Sequence, residues 1–471
     1  MFNNRLNKRG AVFSAIILIL LVFSSSSMAN NNPVISRADA LTFAFIADFS
    51  SGIKCYELTH HDCRINVSID KGSSMAMQAT TLLIMRIDAA LDERSLNDWT
   101  TGWGPTMQWE KGFKPGAKSG IKYYSTASTM VVFKNNNTYV VAIAGTNPIS
   151  TYGWNVEDFD ITQLVNWPNG SPAGKISAGT AEGLNLLLTM GGGQSAGTNT
   201  TLIDYLREEA KAAHYRNEKI EVVVVGHSLG GTLSPVIATT LIDTKNENLD
   251  LKWSISQTSQ DINLQLKEWD PGNTAKVSTI FFAGATPGDK NFANYANSLM
   301  TGISGILGIN NKYDVVPHGW NDLGSIVSTG SANIKNIYTV NSHYCDTPSS
   351  QTNCPYTKTK PVSSDPSKVI CPCLATSNEI FKAQYGAEAD FPKATPVGVG
   401  SQREEIILGI AYKTKWQECP STKLLSSIPG LDRMLIEAIY QHDCVYPLNY
   451  QSTKDLYSVL HKIREEYKQT L

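Results

Sequence analysis

The chain has 471 residues, 42% of them hydrophobic and 17% charged, with a formal net charge of −2. That balance fits a globular protein with a substantial core. No dense Lys/Arg stripe is present, so nucleic acid is excluded as a partner on electrostatic grounds.

The first segment reads as a secretory signal. Arg5, Lys8 and Arg9 precede the apolar run Ala11 to Phe23, and Ser27-Met28-Ala29 supplies the small residues a signal peptidase reads. The run is about 13 residues, short of the ~20 that a spanning helix needs, which favours cleavage after Ala29 over an anchor. The expected boundaries are therefore a signal peptide over 1–29, an N-terminal part of the catalytic domain over 30–128, and the main body over 129–471. Export to a periplasm or to the outside makes disulfides the natural use of the eight cysteines. Cys55 with Cys63 and Cys345 with Cys354 are plausible local pairs, and Cys371 and Cys373 can reach Cys419 and Cys444. The spacing of Cys345, Cys354, Cys371 and Cys373 lacks the usual pairs of a zinc site, and no metal is expected.

Between 30 and 127 the clearest helical run is Met75 to Leu91. Trp99, Trp103 and Trp109 have no helical period and read as packing, or as the rim of a cleft. Thr129 to Phe133 and Tyr139 to Ala144 form a hairpin around Asn135-Asn136-Asn137, and the second strand stops at Gly145-Thr146. Pro148 to Gly174, rich in Trp and Phe, is a candidate lid. Leu184 to Leu188 and Leu202 to Ala213 read as helices, with Gly191-Gly192-Gly193 as the break between them.

Then comes the most informative stretch. Ile220 to Val225 contains five β-branched residues in six and predicts a fully buried strand. Gly226-His227-Ser228-Leu229-Gly230 follows at once, and Leu233, Val236, Ile237 and Leu241 mark one helix face. Strand, tight turn and helix with a serine at the apex make a nucleophile elbow. The helix N-terminus offers free N–H groups to an anion that develops beside Ser228.

Past this helix, Asn246 to Thr274 reads as a polar surface excursion and Val277 to Ala283 as another buried strand. Phe292 to Leu307 is expected to be helical or irregular. Ser342 to about Gly400 reads as a Cys-containing insertion, and helical periodicity is expected at Arg403 to Ala411, Leu431 to Tyr440 and Leu456 to Tyr467. Strands alternating with helices predict an α/β fold, a mainly parallel sheet with helices on both faces.

A serine hydroxyl needs a base, and the base needs a carboxylate to fix its tautomer. In the order Ser, acid, His, the candidates for the base are His318, His343, His442 and His461. His461 lies in a charged helical run and His318 is too close to Asp314 to come from a separate element. His442, in a loop after a packed helix, is preferred, with His343 as its rival. For the acid, Asp314 stands among apolar residues and needs a partner, whereas Asp289 suits a turn or a helix N-cap.

Together these residues resemble the class 3 lipases, the fungal-lipase-like branch of the α/β-hydrolases. Val140 to Thr146 is similar to the family's oxyanion strand, and Trp154-Asn155-Val156-Glu157-Asp158 to the segment after it. Val224 to Gly231 matches the nucleophile signature. Phe282 to Asp289 looks like the Phe-Gly-x-Pro-x-x-Gly block, and Asn310 to Pro317 like the block that carries the acid. Gln441-His442 with Tyr446 is similar to the C-terminal His-x-x-x-Tyr environment. The chain departs from the family pattern at Ile176 to Gly179 and at Ala144, and in the long interval from Asp314 to His442.

The resemblance implies an α/β-hydrolase fold, with Ser228 as nucleophile, Asp314 as acid, His442 as base, and an oxyanion hole from the N–H groups of Thr146 and Leu229. It implies hydrolysis of carboxylic esters of lipids without a cofactor, and transient contact with a membrane or lipid interface. Phospholipase A1 and short-chain esterase are the enzymatic alternatives, and a binding-only lipase-like protein the non-enzymatic one.

Overall fold

The computed structural model describes residues 34–51, 54–56, 96, 98–113, 122–146, 163–168, 173–191, 200–255, 260–301, 305–311, 314, 316–318, 342–344, 370–372, 402–406 and 439–449. The proposed signal segment lies outside them, as do the expected helices at Met75 to Leu91 and Leu456 to Tyr467 and the cysteine pairings. Most of the candidate lid also lies outside.

An eight-stranded sheet forms the frame, in the order β1-β3-β4-β7-β10-β11-β14 with β2 paired to β3. Its strands are β1 (Lys54–Tyr56), β2 (Thr100–Phe113), β3 (Lys122–Asn135), β4 (Thr138–Ile143), β7 (Ile220–His227), β10 (Ala275–Phe282), β11 (Ile306–Asn311) and β14 (Gln402–Ile406), while β5 (Leu164–Asn166) and β6 (Lys175–Ser177) pair with each other in a separate two-stranded sheet. Neighbours from β4 to β14 run parallel, and the pairs that involve β3 are antiparallel. The expected hairpin is β3 and β4, with Met130 opposite Ile143 and Asn135 opposite Thr138.

The middles of the central strands are apolar on both faces because both faces are covered. In β7, Val222 and Val224 join the core on one face, while Val223 and Val225 join the core on the other. Tyr139, Val141 and Ile143 of β4 alternate with Val140 and Ala142 in the same way. The first face carries α2 (Ala178–Thr189), α3 (Leu202–Tyr215), α4 (Leu229–Asp243) and α5 (Lys290–Leu299). The other carries α1 (Arg37–Ser51) and a C-terminal turn.

Helix α1 has no counterpart in the sequence expectations, although its signal is present. Ser36 Oγ accepts from the Asp39 N–H at 3.0 Å and donates to Asp39 Oδ2 at 2.6 Å, a reciprocal N-terminal cap. Leu41 and Phe43 to Ala47 follow, all buried, as befits a helix that is apolar on nearly every side.

Three expectations are corrected. The stretch 246–274 is not a polar excursion: β8 (Leu249–Ile255) and β9 (Gln260–Leu266) pair antiparallel and press Leu249, Leu251, Trp253, Ile255, Ile262 and Leu266 into the first core. The polar residues form only the hairpin's outer face, at a period of two. Arg403 to Ile406 is extended in β14, not helical, and pairs with β11. Phe292 to Leu307 divides into α5 and then β11, whose Ile306, Leu307 and Ile309 are buried beside β10. Among the described residues no helix is long and apolar enough to cross a membrane.

Candidate active site

The elbow has the geometry its sequence calls for. Ser228 sits between β7 and α4 at φ 59° and ψ −125°, a conformation L-residues rarely adopt. Its N–H donates to Phe282 O of β10 at 3.1 Å and its carbonyl accepts from Thr232 N of α4 at 3.0 Å, so the neighbouring strand and the following helix hold the strained turn. Two glycines are obligatory. A Cβ on Gly226 would collide with the Gly230 backbone, and one on Gly230 with the Ile143 carbonyl. Helix and strand therefore cross in contact, which lifts Ser228 to the carboxyl end of the sheet.

Strand β4 ends against the same point. A Cβ on Gly145 would stand 3.0 Å from Ser228 Cβ. Thr146 thus follows a residue that touches the serine. Leu229 is the first residue of α4, where an N–H has no acceptor within the helix.

Asp314 and His442, 128 positions apart, meet directly. His442 Nδ1 lies 2.8 Å from Asp314 Oδ2 and 3.0 Å from Oδ1. The Tyr446 hydroxyl donates to Oδ2 at 2.8 Å and the Val316 N–H to Oδ1 at 3.0 Å. Asp314 follows β11 at the carboxyl edge of the sheet, and its side chain is wholly buried. A carboxylate there is tolerable only with such a full set of donors.

His442 is carried not by a loop but by a five-residue π-helical turn, Tyr440–Cys444, that continues into α6 (Val445–Asn449). The wide turn closes through Val445 N–H to Tyr440 O. It aims His442 at Asp314 and, four residues on, brings Tyr446 to the same carboxylate. Burial works against a charged His442, but the charge and hydrogen bond of Asp314 outweigh it. With smaller contributions from Asp443 and Asp48, they push its pKa up to about 9. Ser228 Oγ and His442 share no hydrogen bond among the described residues.

The remaining candidates fall elsewhere. His343 lies on β12 (Ser342–Tyr344), paired with β13 (Ile370–Pro372) in a separate two-stranded sheet. Asp289 caps α5, accepting from Phe292 N at 2.9 Å, as a turn acid should. His318 ends a short 3-10 turn (Val316–His318) behind Asp314.

Two polar residues at the site have no place in the sequence expectations. His227 Nε2 lies 2.9 Å from the His442 carbonyl, and Nδ1 lies 3.3 Å from Asp48 Oδ2 on α1. The Gly145 N–H donates to Asp48 Oδ1. His227 was in plain view beside the serine, but nothing local tells that its partner lies 179 residues upstream. Among the described residues, His227, His442 and Asp443 could bring ligand atoms within 4.8 Å of one another. Both nitrogens of His227 and Nδ1 of His442 are already committed, which leaves a poor metal set.

Known proteins share part of this chain's sequence and its fold. Residues 140–322 match the family model described as lipase (class 3). Phospholipase A1-IIalpha of Arabidopsis thaliana is 29% identical over 123 residues, 25% of this chain and 25% of that protein. The chain thus spans about a quarter of the length of the curated relative it matches. The crystal structure of M37 lipase aligns with a TM-score of 0.51 at 22% identity, covering 92% of this chain and 99% of that one, a likeness of fold. The matched segment includes most of β4, the elbow and Asp314, whereas Asp48 and His442 reach the site from outside it. Residues 140–322 thus match the class 3 lipase model, within a mainly parallel α/β fold like that of M37 lipase.

Proposed function

We propose that this protein is an exported serine hydrolase that cleaves carboxylic esters of lipids through an acyl-enzyme on Ser228. The observation that carries the proposal is the buried Asp314–His442 pair, fixed by Tyr446, in a fold whose strained elbow presents Ser228. His442 takes the Ser228 proton as Oγ attacks the ester carbonyl, then gives it to the leaving alcohol. Asp314 keeps Nδ1 protonated, so Nε2 is the basic nitrogen, and stabilises the imidazolium that forms. The N–H groups of Thr146 and Leu229 hold the oxyanion, where one such donor is worth roughly 3–4 kcal/mol. Water then releases the fatty acid by the same steps in reverse order.

The open contact between Ser228 and His442 accords with a site that tightens on binding substrate. A phospholipid ester is the second substrate class, favoured by the similarity to a plant phospholipase A1 segment. Turnover of a p-nitrophenyl ester series of increasing chain length, beside a diacyl phospholipid, separates the classes. Optimal turnover of long acyl chains that vanishes in Ser228→Ala supports the proposal; turnover unchanged in that variant contradicts it.

A further inference from the structure

His227 precedes the proposed nucleophile, and each of its ring nitrogens faces an acceptor. The His442 main-chain oxygen, 2.9 Å from Nε2, can only accept, so Nε2 carries a hydrogen. Nδ1 lies 3.3 Å from a carboxylate oxygen of Asp48, and with no proton between them two lone pairs would face each other. The pair therefore holds two protons, as His⁺ with Asp⁻ or as neutral His with protonated Asp, and is net neutral in either form. Its setting suits this. The side chains of His227 and Asp48 are 4% and 19% exposed. Burial pushes the Asp48 carboxyl above the ordinary range, against the pull of His227 and the Gly145 N–H.

The same carboxylate touches each part of the site. Asp48 Oδ1 takes the Gly145 N–H, at the end of the oxyanion strand. Oδ2 fixes the His227 ring, and that ring holds the backbone of the base. Phe45 of α1, His442 and Tyr446 pack on the ring at centroid distances of 4.8, 4.7 and 5.6 Å. The titratable groups around it are Asp48 from α1 and His442, Asp443 and Tyr446 from the C-terminal turn and α6. The β-strand beside it contributes Phe282.

We propose that Asp48 and His227 form a second, non-reacting acid–histidine pair that positions the catalytic centre, with His227 gripping the His442 main chain and Asp48 holding His227 and Gly145 in register. The inference rests on the triad proposed above. Neither residue touches the substrate; both act through groups that do. The lipid ester is then hydrolysed by a site whose base is aligned from a helix outside the family segment.

The test compares Asp48→Asn, Asp48→Leu, His227→Phe and the Asp48→Leu/His227→Phe double variant of the full chain, with Ser228→Ala as control. Asn can accept from Gly145 N–H and donate to Nδ1, so it preserves the pattern, whereas Leu fills the space without it. Asp48→Leu and His227→Phe are expected to lose roughly tenfold to a hundredfold in kcat with KM within about twofold, the mark of misaligned catalytic groups. Asp48→Asn is expected to stay within about threefold of wild type, and the double variant to be no worse than the worse single one, because the pair acts as one unit. If Asp48→Leu does not fold, loss in His227→Phe with retention in Asp48→Asn carries the same comparison. In spectra of the wild type labelled with 15N-histidine, Nε2 of His227 is expected to bear a hydrogen. Wild-type rates in Asp48→Leu, equal damage in Asp48→Asn, additive losses or a bare Nε2 each overturn the inference while leaving the triad intact. Turnover insensitive to Ser228→Ala overturns the triad and the inference with it.

Discussion

Tyr446 donates its hydroxyl hydrogen to Asp314 Oδ2, the same oxygen that His442 Nδ1 approaches, and both distances are 2.8 Å. One carboxylate oxygen thus takes two donors from one short stretch of chain. Removing the tyrosine hydroxyl leaves a buried charge with one donor fewer. Tyr446→Phe is expected to cost about 1.5–3 kcal/mol of stability, the usual worth of a hydrogen bond to a charged group. Denaturant midpoints at constant slope check this. With one donor fewer sharing the Asp314 charge, that charge acts more fully on His442, and the pH at which activity rises is expected to move up.

The proposed base titrates in a definite direction. His442 must be neutral to accept a proton, and Asp314 raises its pKa to about 9, so kcat/KM is expected to climb with pH toward that value. Asp314→Asn removes the charge that raises it. The rise is then expected at lower pH, with a rate loss on the order of 10⁴-fold. A pH–rate profile of the two proteins tests both.

The same shift links to stability. His442 has a folded pKa raised from 6.5 to about 9, so its stabilising contribution is complete below 6.5 and is lost as pH rises through about 9. Melting temperature measured from pH 6 to 10 is expected to fall less steeply in His442→Gln than in the wild type.

Backbone strain at the serine gives an opposite pair of effects. With Ser228 at φ 59° and ψ −125°, Ser228→Gly relieves strain and is expected to stabilise the protein by about 1 kcal/mol while abolishing turnover. Gly226→Ala forces a Cβ into the Gly230 backbone and is expected to cost about 3 kcal/mol or more. Equilibrium unfolding of the two variants reads the difference.

The elbow was legible because everything that makes it is local: a β-branched run, two glycines and a helical period within about two dozen residues. Asp314 announced itself as an acid among apolar neighbours. His442 could be chosen over His343 by context, but the π-helical turn that aims it has no local signature. Strands β11 and β14 were misplaced for a related reason. Ile306 to Asn311 is short, and Gln402 to Ile406 is polar at its first four positions with no period-two alternation, so their pairing depends on neighbours far away in sequence. Trp253 and its hairpin were missed because charged residues on the outer face masked a period of two. Asp48 is the extreme case, a residue whose role is set entirely by chain that returns to it later.

The central claim is that Ser228, aligned with His442 and Asp314, is a nucleophile. Reaction of the full chain with a fluorophosphonate ester, followed by mass spectrometry of the digested protein, tests it most directly. One adduct on Ser228 is expected, absent in Ser228→Ala and formed far more slowly in His442→Gln and Asp314→Asn. An adduct on another residue, or labelling of Ser228 at the wild-type rate in both of those variants, would contradict it.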